Sequence, residues 1–220
     1  MQELFKKLNI EPQDMALYER AFSHSSYANE NRFMQSYERL EFLGDAIVDF
    51  VVAEYLYAHF REDEGEMTKV RASYVCENAL YEYSMAMGLN HYLKLGHGEL
   101  YKENVQNKAI IADIFESFMA AIYLDLGFDV VRRVVLSIVT PYIQDQVTFF
   151  SDYKSALQEA VQTDKKSVEY ILIREDGPSH KKIFTVEVRV EGIVYGQGVA
   201  SSKKEAEQNA AKEALEKLAN

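Results

Sequence analysis

The chain has 220 residues, 48% hydrophobic and 27% charged, enough for one large domain or two modest ones and a composition that excludes wholesale disorder. No run approaches the roughly 20 apolar residues needed to cross a bilayer, and residues 1–7 hold neither an apolar core nor a small-residue cleavage site, so neither a membrane span nor a secretory signal is expected. The net charge of −11 argues at first against a polyanionic partner, and the single cysteine, Cys76, excludes an intrachain disulfide framework and fits a reducing cytoplasm.

From about Asp14 to Gln146 the pattern is helical. Residues 36–60 and 105–126 carry long apolar runs with spacings of three and four and few breakers, which predicts two buried amphipathic helices. Gly65, Gly88 and Gly96-His97-Gly98 punctuate the other helices, and Pro12, Pro141 and Pro178 fall near expected element ends. Cys76 reads as a small buried hydrophobe. After Phe150 the texture changes. Tyr153, Ala156, Leu157, Ala160 and Val161 share one face of a short helix. Residues 184–190 alternate apolar and polar side chains strictly, as a half-buried strand does. Residues 168–173 and 193–200 are its expected partners, with Glu191-Gly192 as a tight hairpin. Ser202-Lys203-Lys204-Glu205 is a capping box that opens a last helix. There Ala206, Ala210, Ala214 and Leu218 recur every fourth residue, small enough for close approach to a sheet. The order helix, three strands, helix is a compact α+β module, and the boundary is expected within residues 147–152. The acid excess lies before it. Residues 1–150 hold 13 Lys+Arg and 23 Asp+Glu, a balance of −10, against −1 for residues 151–220.

The most informative stretch is Glu38-Arg39-Leu40-Glu41-Phe42-Leu43-Gly44-Asp45. At about 100° per residue, Glu38, Glu41 and Asp45 fall within roughly 60° of one helix face, while Leu40, Leu43 and Ile47 point elsewhere. Asp113 and Glu116 stand three apart inside the second apolar helix, where an acid is costly unless paired. A lone glutamate is ordinarily solvated or salt-bridged, and Arg39 and Lys108 are candidate partners. As a set, on two helices packed face to face, the acids pose a harder problem. Two like charges about 4 Å apart repel by roughly 4 kcal/mol at an intermediate effective dielectric, and several such pairs rival the roughly 5–15 kcal/mol that stabilises a whole domain. Such a cluster calls for protonation or a divalent cation, and an all-carboxylate donor set favours Mg²⁺ or Mn²⁺ over Zn²⁺.

These residues resemble the ribonuclease III family, endonucleases of double-stranded RNA. Glu38–Asp45, read as ERLEFLGD, is similar to its signature, Ala112-Asp113-Ile114-Phe115-Glu116 to its second acidic motif, and His24-Ser25-Ser26-Tyr27-Ala28-Asn29-Glu30 to its N-terminal stretch. One departure is Tyr37, where many members have Asn. The resemblance implies that Glu41, Asp45, Asp113 and Glu116 ligate a catalytic Mg²⁺, for which Mn²⁺ can substitute. Asp45 and Glu116 would be the most sensitive to substitution, and Glu38 and Glu64 would form an outer pair. The glycine register of Asp63-Glu64-Gly65-Glu66 alone selects Glu64 over Glu66. The family's helical endonuclease domain dimerises, which makes Phe42 a dimer contact, although a core aromatic fits that position equally well from sequence.

The C-terminal segments resemble a double-stranded-RNA-binding domain. Lys203 and Lys204 sit in a first helical turn, where cations oppose the helix dipole; a helix terminus that receives phosphates would reconcile them with it. Tyr153-Lys154-Ser155-Ala156-Leu157-Gln158-Glu159 and Gly177-Pro178-Ser179-His180-Lys181-Lys182 complete the likeness. It implies that Ser155, Gln158, Glu159 and Gln162 meet one minor groove, that Pro178, Ser179 and His180 enter the next, and that Ser202, Lys203 and Lys204 bridge phosphates between them. Such modules span about 16 base pairs and read A-form shape.

The expected architecture is therefore two domains. Residues 1–148 form an all-α endonuclease and dimerisation domain, and residues 149–220 form an α-β-β-β-α RNA-binding domain. The expected activity is that of a cytoplasmic, homodimeric, Mg²⁺-dependent endoribonuclease with no membrane partner. It leaves 5′-phosphate and 3′-hydroxyl ends on double-stranded RNA, in rRNA or mRNA precursor processing. Two rivals are a pure RNA-binding protein on a helical scaffold and a di-iron helical bundle. The intact acid set speaks against the first. Against the second, no histidine stands three residues after a glutamate, the spacing such bundles use.

Overall fold

The computed structural model describes residues 1–32, 34–100, 107–147, 149, 153–162, 167–178 and 182–218, with the side chains of all of these but Leu100, Ser155, Glu159 and Gln162. The chain divides into two compact units, Met1–Phe150 and Ser151–Asn220.

The first unit is built from helices: α1 (Gln2–Leu8), α2 (Met15–Ala21), α3 (Ser25–Glu30), α4 (Glu38–His59), α5 (Glu64–Tyr74), α6 (Glu77–Met87), a 3-10 turn (Leu89–Tyr92), α7 (His97–Leu100), α8 (Lys108–Leu126) and α9 (Phe128–Gln144). The two apolar runs are α4 and α8. Helix α1 lies ahead of the expected helical region; its buried Leu4 and Phe5 pack into the common core, Phe5 edge-on to Tyr18. Asn107 opens α8 by accepting a bond from the Ala109 amide at 3.1 Å, and Gly127, at φ 86°, follows its last residue. Between these ends α8 is apolar nearly all round. Ile111, Ile114, Phe115, Phe118, Met119 and Ile122 are sealed from solvent, as a central helix requires. Helices α2, α4, α6 and α9 pack around it. Two polar ties hold α2 in place. Ser117 Oγ donates to the Ala21 carbonyl at 2.6 Å, and the Asp125 carboxylate accepts from the Gln13 and Asp14 amides and the Tyr18 hydroxyl. Cys76 is half-buried at the start of α6, its Sγ donating to the Ser73 carbonyl.

The second unit comprises α10 (Tyr153–Gln162), β1 (Val168–Asp176), β2 (Ile183–Val190), β3 (Ile193–Ala200) and α11 (Lys203–Leu218). The strands form an antiparallel sheet in sequence order. Strand β1 runs three residues beyond its expected end, with a register shift between Leu172 and Arg174. Glu191 and Gly192 both have positive φ, 50° and 78°, the conformation of the two-residue turns whose twist suits a hairpin. Val186, Val188 and Val190 of β2 face a core with Leu157, Val161, Ala206, Ala210 and Ala214, all buried. Two expected apolar positions of α10, Ala156 and Ala160, are exposed, as is Leu218 of α11. The buried stripe is narrower than the periodicity suggests, because a three-stranded sheet covers only part of a helix circumference.

The alanines of α11 do allow close approach, and two glycines of β3 complete it. A Cβ at Gly198 would lie 2.0 Å from the Ala206 carbonyl oxygen, and one at Gly196 would lie 2.2 Å from that of Ala210. Both positions press on helix backbone, which has nowhere to move. Gly198→Ala should therefore destabilise this unit by at least about 1–3 kcal/mol, the ordinary cost of overpacking. Urea titration of the full chain, followed by amide hydrogen exchange of β2 and β3, will measure it; unchanged protection of those strands would refute the contact.

Candidate metal centre and nucleic-acid interface

Glycine in mid-helix costs roughly 0.5–1 kcal/mol relative to alanine, yet Gly44 sits seven residues into α4. A Cβ there would lie 1.9 Å from the Glu116 carbonyl oxygen. The α4 and α8 backbones touch at this point, so side chains one turn before Gly44 on α4 meet those one turn before Glu116 on α8. Leu40 and Ile47 turn into the core, and Leu43 is half-buried against it. Glu41 is left facing Asp113 and Glu116. One carboxylate oxygen from each of these three residues lies within 4.8 Å of the others.

The other acids occupy different positions. Asp45 is exposed, one turn beyond Glu41, and its charge acts on both Glu41 and Glu116. Glu38 is exposed at the start of α4, accepts a bond from Ser36 Oγ at 3.0 Å and acts on Glu41. Glu64 is exposed at the first position of α5, in a cleft with Leu56, Tyr57 and Arg71. No contact described for it reaches the cluster. Its neighbour Glu66 is engaged with Lys69 at 2.8 Å. Among the described residues, no ion pair neutralises Glu41, Asp113 or Glu116. Lys108, a candidate counter-charge, sits instead over the Tyr81 ring, and Arg39 is exposed and acts on Arg20.

The electrostatic result is strong. Burial, followed by the charges of Asp113, Glu38 and Asp45, pushes the Glu41 carboxyl up to about 7. Burial, followed by Asp45, Asp113, Glu41 and Asp49, pushes Glu116 up to about 8. Burial raises Asp113 as well, opposed by a hydrogen bond from the Tyr37 hydroxyl at 3.1 Å. Two residues of this site escaped the reading of the acids alone. Gly44 was visible as a glycine inside an apolar helix, the usual mark of a close contact. Tyr37 carries no charge, and nothing in its local spacing points across to Asp113.

The donor set fits a hard divalent cation: several carboxylates, no histidine or cysteine, and glutamates that retain their protons to unusually high pH when nothing else neutralises them. Mutual repulsion and burial are the terms that an ion of charge +2 would relieve.

In the second unit, Ser202 Oγ accepts from the Glu205 amide at 3.2 Å, so the serine caps α11 as its sequence predicts. Lys203 and Lys204 are exposed in the first turn. Gln158 is exposed on α10, and Pro178 is exposed after Gly177, whose φ is 92°. The side chains of Ser155, Glu159 and Gln162, and all of Ser179 and His180, lie outside the described residues.

Comparison with known proteins agrees with this division. A family model described as Ribonuclease-III-like matches residues 14–143, and one described as a double-stranded RNA binding motif matches residues 153–218. The chain is 48% identical over 220 residues to Ribonuclease 3 of Onion yellows phytoplasma, covering 100% of this chain and 92% of that protein. It is 44% identical over 222 residues to Ribonuclease 3 of Geobacillus thermodenitrificans, covering 99% and 90%. A solved nuclease domain of ribonuclease III from Campylobacter jejuni, reported for flexibility in a region involved in dimer formation, matches at 30% identity and a TM-score of 0.58. That match covers 63% of this chain and 95% of that one.

Since folding raises the Glu41 and Glu116 values above the ordinary 4.5, ionising these groups weakens the fold. Their contribution is intact below about pH 4.5 and is lost as pH rises through 7 and 8. In chelator, Glu116→Gln should melt above wild type at about pH 8.5 and level with it at about pH 5. Added Mn²⁺ should reverse the order at the higher pH, because the ion needs the ionised carboxylate. Thermal melts of both proteins across this range provide the check.

Proposed function

The chain belongs to the ribonuclease III family of double-stranded-RNA endonucleases, its C-terminal unit being the RNA-binding domain, and on that footing we propose that its acidic cluster holds Mg²⁺ and hydrolyses duplex RNA to 5′-phosphate and 3′-hydroxyl ends. The convergence of Glu41, Asp113 and Glu116 within 4.8 Å, from helices some seventy residues apart in sequence, carries this reading. Together with Asp45 they are the residues that would hold Mg²⁺, with Mn²⁺ as a substitute. When bound, the ion supplies Lewis acidity at the scissile phosphate and offsets charge on the attacking and leaving oxygens. Glu41 and Glu116 then serve as ionised carboxylates at neutral pH, a state that they resist on their own. Glu38 and Glu64 are assigned outer roles, placing water or the RNA strand.

RNA is gripped by the second unit. Lys203 and Lys204 meet phosphates at the α11 terminus, beside Ser202. Gln158 and Pro178, with Ser155, Glu159, Gln162, Ser179 and His180, take the flanking minor grooves. The near-neutral balance of residues 151–220 lets this unit approach a polyanion that the acidic first unit would repel.

The working form is a homodimer, supported by the outer face of α4. There Phe42, Phe50 and Tyr57 are 82%, 57% and 81% exposed, an apolar strip costly to leave in water. The exposure of Phe42 favours a dimer contact over a place in the core. Ribosomal and messenger precursors in the cytoplasm are the assigned substrates, in keeping with the lone, unpaired Cys76.

Glu116→Ala should abolish cleavage of a duplex while leaving duplex binding in chelator unchanged, read by gel assays with product end groups analysed in the same samples. Cleavage at the wild-type rate would remove Glu116 from the site, and cleavage of single strands or in chelator would favour another chemistry. Replacing Lys203 and Lys204 together with Ala should weaken duplex binding and reduce the slope of log K against log salt by about two. An unchanged slope in fluorescence titrations would exclude those lysines from phosphate contact.

A further inference from the structure

Tyr37 precedes α4 and is 3% exposed. Its hydroxyl donates to Asp113 Oδ2 at 3.1 Å, across 76 residues of sequence. The ring is fixed before it reaches that carboxylate. The Tyr37 amide donates to the Ser23 carbonyl at 2.9 Å, and the His24 ring packs 5.8 Å from the phenol. The Tyr37 carbonyl accepts from the Leu40 and Glu41 amides at 2.7 and 2.9 Å. The backbone of this one residue therefore sets the helical turn that carries Glu41, and its side chain sets Asp113. These two acids come from different helices and must keep a fixed separation to share an ion.

The terminal torsion of an aspartate is broad, so packing alone does not fix the plane of its carboxyl group. At Asp113 the neighbours in the cluster are other carboxylates, which once ionised to receive an ion offer repulsion and no donor. A phenol held by its own backbone supplies the missing restraint, and donors behind ligating carboxylates typically alter metal affinity 10–100-fold. We infer that Tyr37 is a positioning residue of the metal centre: its hydroxyl holds Asp113 in register with Glu41 for a divalent ion. This deepens the nuclease reading and rests on it.

The test is Mn²⁺ binding by the full chain, measured by electron paramagnetic resonance for wild type, Tyr37→Phe, Asp113→Ala and the double variant. Tyr37→Phe should weaken Mn²⁺ binding about tenfold and raise the Mg²⁺ concentration for half-maximal cleavage by a similar factor. Duplex binding in chelator, which does not involve the metal centre, should stay level with wild type. In the Asp113→Ala background the same substitution should do nothing further, the non-additivity that marks a direct partnership. Unchanged Mn²⁺ affinity in Tyr37→Phe, whether or not its melting temperature falls, would make the tyrosine merely structural and overturn the inference while leaving the nuclease reading intact. Equal effects in both backgrounds would do the same. A wild-type chain that binds no Mn²⁺ would overturn the nuclease reading and this inference together.

Discussion

Two helix backbones in contact at a residue without a side chain are the constraint on which the acidic site depends. At Gly44 the α4 helix lies against the Glu116 carbonyl, closer than any Cβ would permit. That approach forces Glu41 toward Asp113 and Glu116, an arrangement that electrostatics alone would disperse. The core around α8 supplies the opposing term. Ile111, Ile114, Phe115, Phe118, Met119 and Ile122 are withdrawn from water, each such side chain contributing roughly 1.5–3 kcal/mol. Apolar burial thus holds the carboxylates together and also dries their surroundings, which raises their proton affinity further.

The C-terminal unit uses the same device for a different end. Gly196 and Gly198 in β3 face Ala206, Ala210 and Ala214 of α11, and the helix rides directly on the sheet. There the short distance fixes the height of the α11 terminus above the strands, and with it where Ser202, Lys203 and Lys204 stand. In both units a candidate functional group is placed by close backbone contact at glycine, with larger side chains filling the space around it.

Much of this was legible in the sequence because it is periodic. The 3.6-residue repeat marked α4, α8 and α11, strict alternation marked β2, and the spacing of Glu38, Glu41 and Asp45 put them on one face. The rest is not periodic. Short α1 has too few turns to show a repeat, and its place is set by a tertiary contact between Phe5 and Tyr18. Equal spacing also hid a difference in depth: Asp45 is exposed whereas Glu41 is half-buried, facing Asp113 and Glu116. The meeting of Tyr37 with Asp113 depends on how two helices cross, which no local pattern encodes. The acids could be named from composition and resemblance, but what holds them together could be seen only once the helices were packed.

Helix α8 has almost no surface in its middle, and this limits how the molecule can change over generations. Outside Asp113 and Glu116, its central positions admit only replacements of matching bulk, so drift there is nearly frozen. Exposed positions away from the apolar strip of α4 and the Glu191-Gly192 turn bear no such restriction. Divergence should accumulate in those places, around a central rod that stays the same.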